Sequence, residues 1–423
     1  MHLEKYSLGV GDRFGRQGQA QLRAIIRARD PGFLVIPVWN KSYREHEIIG
    51  TTPCDVREEA DCAVQSLGWK DAYHVDADHI GMQNVGAFLS SSDFFTLDVA
   101  NFKGKTAPVE EIDSFVRRHE DLIGRLELQG IQNPLFIDQD SMRKVASRYL
   151  CAIQEAGRIY RHILAFKGEG LFIAEISMDE TDEPQSPLDM VLILAMVADE
   201  GIHAQTIAPK FTGRFNKGID YVGDPNRFEE EFRSDLAVIE YAIERFGLPK
   251  NLKMSVHSGS DKFSIYPSIS KALYDFNAGL HLKTAGTTWL EELIGLALSG
   301  SEGLCVVREI YTNALGRFDE LCAPYAPVIS IDSTRLPRAE EVMDWSGEEY
   351  AAALRHDPDC LEYNLHFRQM LHVSYKVAAE MGRRYLDALS AFEEVVGQNV
   401  EANLFKRHIR RVFRYQMDCS EWQ

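Results

Sequence analysis

The chain has 423 residues, 45% hydrophobic and 26% charged, which suits one large globular domain of about 250–300 residues with additions. Its formal net charge of −18 argues against nucleic-acid and anionic-membrane partners, yet a few Lys and Arg in a cleft can still hold an acidic small substrate. Seven scattered Cys form no CxxC pair, residues 1–15 show no signal peptide, and no apolar run is long enough to span a bilayer, so a cytoplasmic protein is expected.

In chain order, 6–10 reads as a strand ending in Gly11-Asp12-Arg13-Phe14-Gly15, and a helix follows over 17–28. The β-rich run 33–39 ends in Asn40-Lys41, and after a longer loop Thr51-Thr52-Pro53 opens a helix that reaches Leu67. The third strand, 73–79, reads Tyr-His-Val-Asp-Ala-Asp-His and runs into a helix near 82–90; the fourth is 94–99. Residues 109–165 keep helical spacing, with a break marked by Gly130 and Pro134, and read as a helical insertion. Strand–helix alternation resumes with strands 171–179, 204–209, 252–257 and 280–284, followed by helices near 187–199, 227–246, 267–276 and 288–298.

Eight strands, each followed by a helical segment, predict a closed (β/α)8 barrel of the TIM type over residues 1–299. An open doubly wound sheet is the poorer match, because Gly9-x-Gly11 followed by Asp-Arg is no dinucleotide turn. Residues 300–423 read as a helical C-terminal extension packed on the barrel flank or over its mouth.

The strand ends are unusually polar, and in such a barrel they all face one rim. Asp78-His79, Glu175, Asp179-Glu180, Lys210, His257 with Asp261-Lys262, and Lys283 together suit a divalent cation and an anionic substrate. With imidazole and carboxylate donors and no nearby thiolate, the cation expected is Zn, Mn, Ni or Co. His257 is either a core histidine or a site residue; the small polar run Ser258-Gly-Ser-Asp-Lys262 favours a binding loop. Glu175, flanked by Ala174 and Ile176, is either one half of a buried ion pair or a desolvated acid with a raised pKa, suited to donate a proton. Lys210, Lys217, Lys262 and Lys283 are candidates for binding a carboxylate or phosphate. Asp220, in the long 210–224 loop, is the candidate third metal ligand. His74, His203 and His281 read as structural.

The motifs Gly11-Asp-Arg13, Asp76-Ala-Asp-His79, Glu175-Ile-Ser-Met-Asp-Glu-Thr181, Lys217-Gly-Ile-Asp-Tyr221, His257-Ser-Gly-Ser-Asp-Lys-Phe263, Lys283-Thr-Ala-Gly-Thr287 and Arg368-Gln-Met-Leu-His-Val373 span most of the chain. In this order they resemble the tagaturonate/fructuronate epimerases of bacterial hexuronate catabolism. The resemblance implies a divalent-metal-dependent epimerase with Asp78 as base, Glu175 as proton donor, and His79 and His257 as metal ligands. It adds Arg368 and His372 to the candidate substrate contacts. Members of that family carry an additional N-terminal region that this chain is expected to lack. The two ketouronates differ at a carbinol carbon that the ketone does not acidify, which favours a retro-aldol route over simple enolisation; direct proton transfer after a carbonyl shift is the alternative. A small anionic sugar is the partner expected, and nothing in the sequence opposes self-association. Two other readings stand beside this one: a metal-dependent isomerase or aldolase of another sugar acid or sugar phosphate, and a non-catalytic sugar-acid binding protein.

Overall fold

A closed ring of eight parallel strands forms the centre of the molecule in the computed structural model, which describes residues 1–30, 33–99, 105–131, 133–284 and 286–414. The strands are β1 (Tyr6–Gly11), β2 (Val35–Ser42), β3 (His74–Ile80), β4 (Phe94–Asp98), β7 (Ile173–Ser177), β8 (Ala204–Ala208), β9 (Lys253–His257) and β10 (Leu280–Lys283). They pair in that order, and β10 closes on β1 with Leu8 opposite Leu282. The remaining strands, β5 (Gly124–Leu126) and β6 (Leu135–Ile137), form a small antiparallel hairpin outside the ring. The expected barrel is therefore present, with its strands at the expected places.

The barrel interior changes character along its axis. Alternate residues point inward. At the N-terminal end, Leu3, Val38, Phe94 and Ile173 form a dry apolar cluster. Lys253 also lies at this end, where its ammonium donates to the carbonyls of Leu3 (2.9 Å) and Glu4; burial lowers its pKa to about 7. Towards the C-terminal end the inward residues become Asp76, Asp78, Thr96, Glu175, Thr206, His257 and Lys283. Gly9 makes room for this polar layer, because a Cβ there would stand 2.8 Å from Cγ of Lys283.

Three expectations need correction. The helix expected at 82–90 is only a single 3-10 turn, Val85–Ala87. Gly81 donates its N–H to Asn84 Oδ1 (2.9 Å), so the chain closes a tight turn where a longer helix was expected to begin. The loop expected before Thr51 contains a short helix, Tyr43–Ile49, started by a reciprocal Ser42–Glu45 cap. Residues 109–165 are mostly helical, as expected, but not all of them are an insertion. Helix Val109–Arg118 and the β5–β6 hairpin are inserted, whereas the 29-residue helix Gln139–Lys167 packs beside β4 and helix Pro187–Asp199 as a barrel helix.

Helix Thr287–Leu298, after β10, is buried all round: helices Gly347–Leu354 and Glu393–Ala402 pack on it. A second core, including Trp289, Tyr311, Phe367 and Tyr385, joins these C-terminal helices to the barrel. The last long helix passes through a π-helical stretch, Asn403–Ile409, against the barrel. Among the described residues no helix is long and apolar enough to cross a membrane. Six cysteines are free; Cys419 lies outside the described residues, as does Ala285 of the Lys283–Thr287 motif.

Candidate active site

Lys283 stands at the centre of the polar layer. Its ammonium lies 2.7 Å from Asp76, 2.9 Å from Asp78 and 2.9 Å from Glu175, and it donates to Thr96 Oγ1 (2.6 Å). Burial disfavours its charge, but the three carboxylates outweigh burial and hold its pKa well above the ordinary lysine value. An ammonium so fully paired is not free to bind a substrate carboxylate, which corrects the expected role of Lys283.

The three carboxylates differ in access. The side chains of Asp76 and Glu175 are 0% exposed and that of Asp78 is 14% exposed. Burial raises the pKa of Asp76 to about 6 despite Lys283. Burial would raise Asp78 too, but Lys283, then His79 and His257, bring it down to about 2, so Asp78 is ionised as expected. For Glu175 the expectation of a raised pKa is reversed. Burial pushes it up, but Lys283 and His257 hold it well below the usual carboxylate range. Both its oxygens are occupied: Oε1 by His257 Nε2 (2.8 Å), Lys283 and Thr96 (3.2 Å), Oε2 by Thr206 (2.8 Å).

His79 reaches the site through a backbone irregularity. Strict alternation after Asp78 would turn it outward. Instead the register with β4 slips between Ala77 and Ile80, and His79 takes a φ of 50°. Such a bulge re-aims a side chain, and the strained conformation of a non-glycine residue is a mark of functional sites. The His79 ring consequently meets that of His257 edge-on, with centroids 5.4 Å apart.

His257 is oriented from behind. With Nε2 engaged by Glu175, Nδ1 turns towards Asp179 Oδ2, 3.1 Å away but off the line a hydrogen bond requires. Burial lowers the pKa of His257, yet Asp179 and Glu175 raise it to about 10, so this pocket draws positive charge to Nδ1. Nδ1 of His79 is likewise buried with no hydrogen-bond partner among the described residues. Ligand atoms of His79, Asp179 and His257 lie within 4.8 Å of one another, and His79, Asp98 and Glu180 form a second such group. Two imidazoles and a carboxylate so grouped fit a divalent cation, and Glu175 stands behind His257 as an outer carboxylate stands behind a metal-binding histidine.

The remaining candidates are dispersed. Asp220 is outside both groups; it accepts from Ser264 N (3.1 Å) and Oγ (2.9 Å), which ties the 210–224 loop to the β9 loop, and the carboxylate grouped with His79 and His257 is that of Asp179. Lys262 is fully buried and donates to the carbonyls of Asn216 (3.1 Å), Ile219 (2.8 Å) and Asp261 (3.2 Å). Arg368 is fully buried against Asp261 (2.9 Å), Gly218 O (2.5 Å) and Leu354 O (2.8 Å). Neither is available to a substrate, because backbone carbonyls and a buried carboxylate consume their donors. Lys210 donates to the Thr181 carbonyl. His281 bonds Ser7 Oγ (2.9 Å) and His74 lies 3.6 Å from Asp93. Sequence reading missed Asp76, Thr96 and Thr206 as site residues; the two-residue spacing from Asp76 to Asp78 was the available signal, since it puts both on one strand face.

The model of the tagaturonate epimerase family matches residues 1–410. A tagaturonate/fructuronate epimerase of Thermotoga maritima is 30% identical over 419 residues, covering 95% of this chain and 80% of the relative. Crystal structures of a fructuronate-tagaturonate epimerase from Cohnella laeviribosi share 26% identity with it. The two-glycerol complex superposes with a TM-score of 0.80, covering 97% of this chain and 82% of that one. The native form gives 0.76, covering 96% and 81%.

Proposed function

The chain belongs to the tagaturonate epimerase family, and from that premise we propose that it interconverts D-tagaturonate and D-fructuronate at the barrel mouth. The observation that carries this reading is the His79–Asp179–His257 group beside Asp78, the most accessible of the carboxylates on Lys283. His79, Asp179 and His257 would hold a divalent cation, which as a Lewis acid stabilises negative charge developing on substrate oxygens.

The chain's own residues account for the proton chemistry. Counting from the hydroxymethyl carbon beside the ketone, the two sugars differ at C4. Asp78 takes the proton from the C4 hydroxyl. The O–H electron pair forms the C4 carbonyl, the C3–C4 bond breaks, and its pair passes into an enediolate across C2 and C3. The aldehyde turns its other face, the C3–C4 bond re-forms, and Asp78 returns the proton to O4. Nothing is oxidised or reduced. Lys283 keeps Asp78 ionised between turnovers. Glu175 holds His257 and Lys283 in place, a role that suits its ionised, fully bonded state better than proton donation. The buried layer of Asp76, Thr96 and Glu175 behind Asp78 shields the fragments from bulk water on that side.

Metal-loaded protein incubated with tagaturonate carrying deuterium at C4 tests the reading. Fructuronate that retains the label is expected, because no C–H bond breaks. Label washed out to solvent refutes the cleavage route, and absence of fructuronate refutes the activity.

A further inference from the structure

Ahead of β1, the chain crosses the floor of the barrel, the end opposite the site. Met1, His2 and Lys5 are exposed there, whereas the Leu3 side chain is 0% exposed and shares the dry apolar cluster of Val38, Phe94 and Ile173. The backbone around Leu3 is fastened by side chains from distant parts of the chain. Gln205, in β8, accepts from Leu3 N (2.8 Å) and donates to Met1 O (3.2 Å). Asn251 holds Gln205 in turn, Nδ2 to Oε1 at 2.5 Å. Lys253, the first residue of β9, donates to the carbonyls of Leu3 (2.9 Å) and Glu4. Leu280 N donates to Lys5 O (2.9 Å), and a Cβ on Gly279 would stand 2.5 Å from that carbonyl. A stretch with exposed residues on both sides is thus pinned so that one leucine enters the bore.

Phe94 links that leucine to the site. The Lys283 ammonium lies 5.7 Å from the Phe94 ring centroid. The His281 ring leans on the same phenyl group, with centroids 5.1 Å apart, and burial keeps His281 neutral by lowering its pKa to about 3. Lys283 therefore has an aromatic ring of the floor cluster on one side, while Asp76, Asp78, Glu175 and Thr96 take up its donors. A cation is held over an aromatic ring, and to a carboxylate, the more strongly the less water is near. Truncating Leu3 would leave a cavity in the cluster that holds Phe94, and the exposed Met1, His2 and Lys5 give that cavity no cover.

We propose that Leu3 is a positioning residue for the reaction: as the stopper of the barrel floor it keeps water from Phe94 and so holds the Lys283 ammonium, and through it Asp78, in place. The catalytic part of the proposal rests on the epimerase reading above.

NMR of metal-loaded protein carrying isotope-labelled lysine reads the stopper without substrate. The Lys283 ammonium, assigned by its absence from Lys283→Arg, should give a signal protected from exchange with water in the parent. That signal should be lost in Leu3→Ala, weakened in the milder Leu3→Val and restored in Leu3→Met, which conserves volume. Steady-state kinetics on tagaturonate should show kcat lower by roughly ten- to a hundred-fold in Leu3→Ala, the cost of a small displacement imposed from a distance. KM and metal content should stay parental, and Leu3→Met should recover most of kcat. Ile310→Ala, a buried truncation in the second core on helix Ser301–Leu315, controls for lost stability and should keep parental kcat. Four results each overturn the proposal: no protected ammonium signal in the parent, an undiminished signal in Leu3→Ala, parental kcat in Leu3→Ala, or an equal fall of kcat in Ile310→Ala. A parent that never converts tagaturonate overturns the epimerase reading and the catalytic role with it, while the ammonium signal still decides whether Leu3 seals the floor.

Discussion

Asp261→Asn should be strongly destabilising although it is isosteric. Asp261 and Arg368 are each 0% exposed and lie 2.9 Å apart. Asp261 also accepts from His408 Nε2 (3.0 Å) and Thr287 Oγ1 (3.3 Å), and His356 Nδ1 lies 3.4 Å away. The amide keeps the shape and removes the charge, so Arg368 remains buried without its counter-ion. Breaking one half of such a pair costs about 3–5 kcal/mol, about a fifth or more of a typical domain's net stability of about 5–15 kcal/mol. Urea unfolding at pH 7, followed by tryptophan fluorescence, should therefore move to clearly lower denaturant. The pH dependence has a definite sign. Burial raises the pKa of Asp261, but Arg368, His356 and His408 hold it well below the usual carboxylate value. A depressed folded-state pKa gives stability that is complete above the unfolded value of about 3.9 and is lost as pH falls through the folded value. The gap between parent and variant should thus be full at pH 7 and close only under strongly acid conditions. A gap within about 0.5 kcal/mol, the size of a surface substitution, would refute the reasoning; so would a gap that widens on acidification.

Three further outcomes are expected. Asp179→Asn should reduce bound metal by elemental analysis, whereas Asp220→Asn should retain it, because Asp220 is engaged by Ser264. Glu175→Gln should weaken metal affinity by about 10–100-fold in competition with a chelator, the usual effect of losing an outer carboxylate behind a metal-binding histidine; unchanged affinity with lost turnover would return Glu175 to the role of proton donor. Asp78→Asn should retain metal and lose about a hundred-fold or more in kcat, as for removal of a general base; near-parental kcat would exclude Asp78.

The barrel was legible because most of its strands are short apolar runs bounded by turn residues, a local signal. The β5–β6 hairpin was not, since three-residue strands are too short to show alternation. The helix expected at 82–90 failed for a related reason: a few apolar residues at helical spacing were outweighed by Gly81, Gly86 and the serines at 90–92. In the site, Asp78, His79 and His257 were visible because they end strands. The ionised state of Glu175 was not, because its cation, Lys283, is 108 positions away in the chain. Lys262 and Arg368 looked like substrate contacts, and no local pattern shows that backbone carbonyls of another loop take up their donors.

The π-helical stretch Asn403–Ile409 bears on how this chain can tolerate change. Asn403 donates to Glu291 (2.8 Å), and five positions later His408 bonds Asp261 (3.0 Å) and Tyr266 (2.9 Å). In an α-helix two residues so spaced would point about 140° apart; the wider π turn brings both onto the barrel side. Deleting one residue here, or inserting one, would swing one of these contacts out of reach. Gains and losses of length should therefore be excluded from this segment more strictly than exchanges of residue type, and a library of single-codon deletions would reveal it as a sharp minimum in surviving protein.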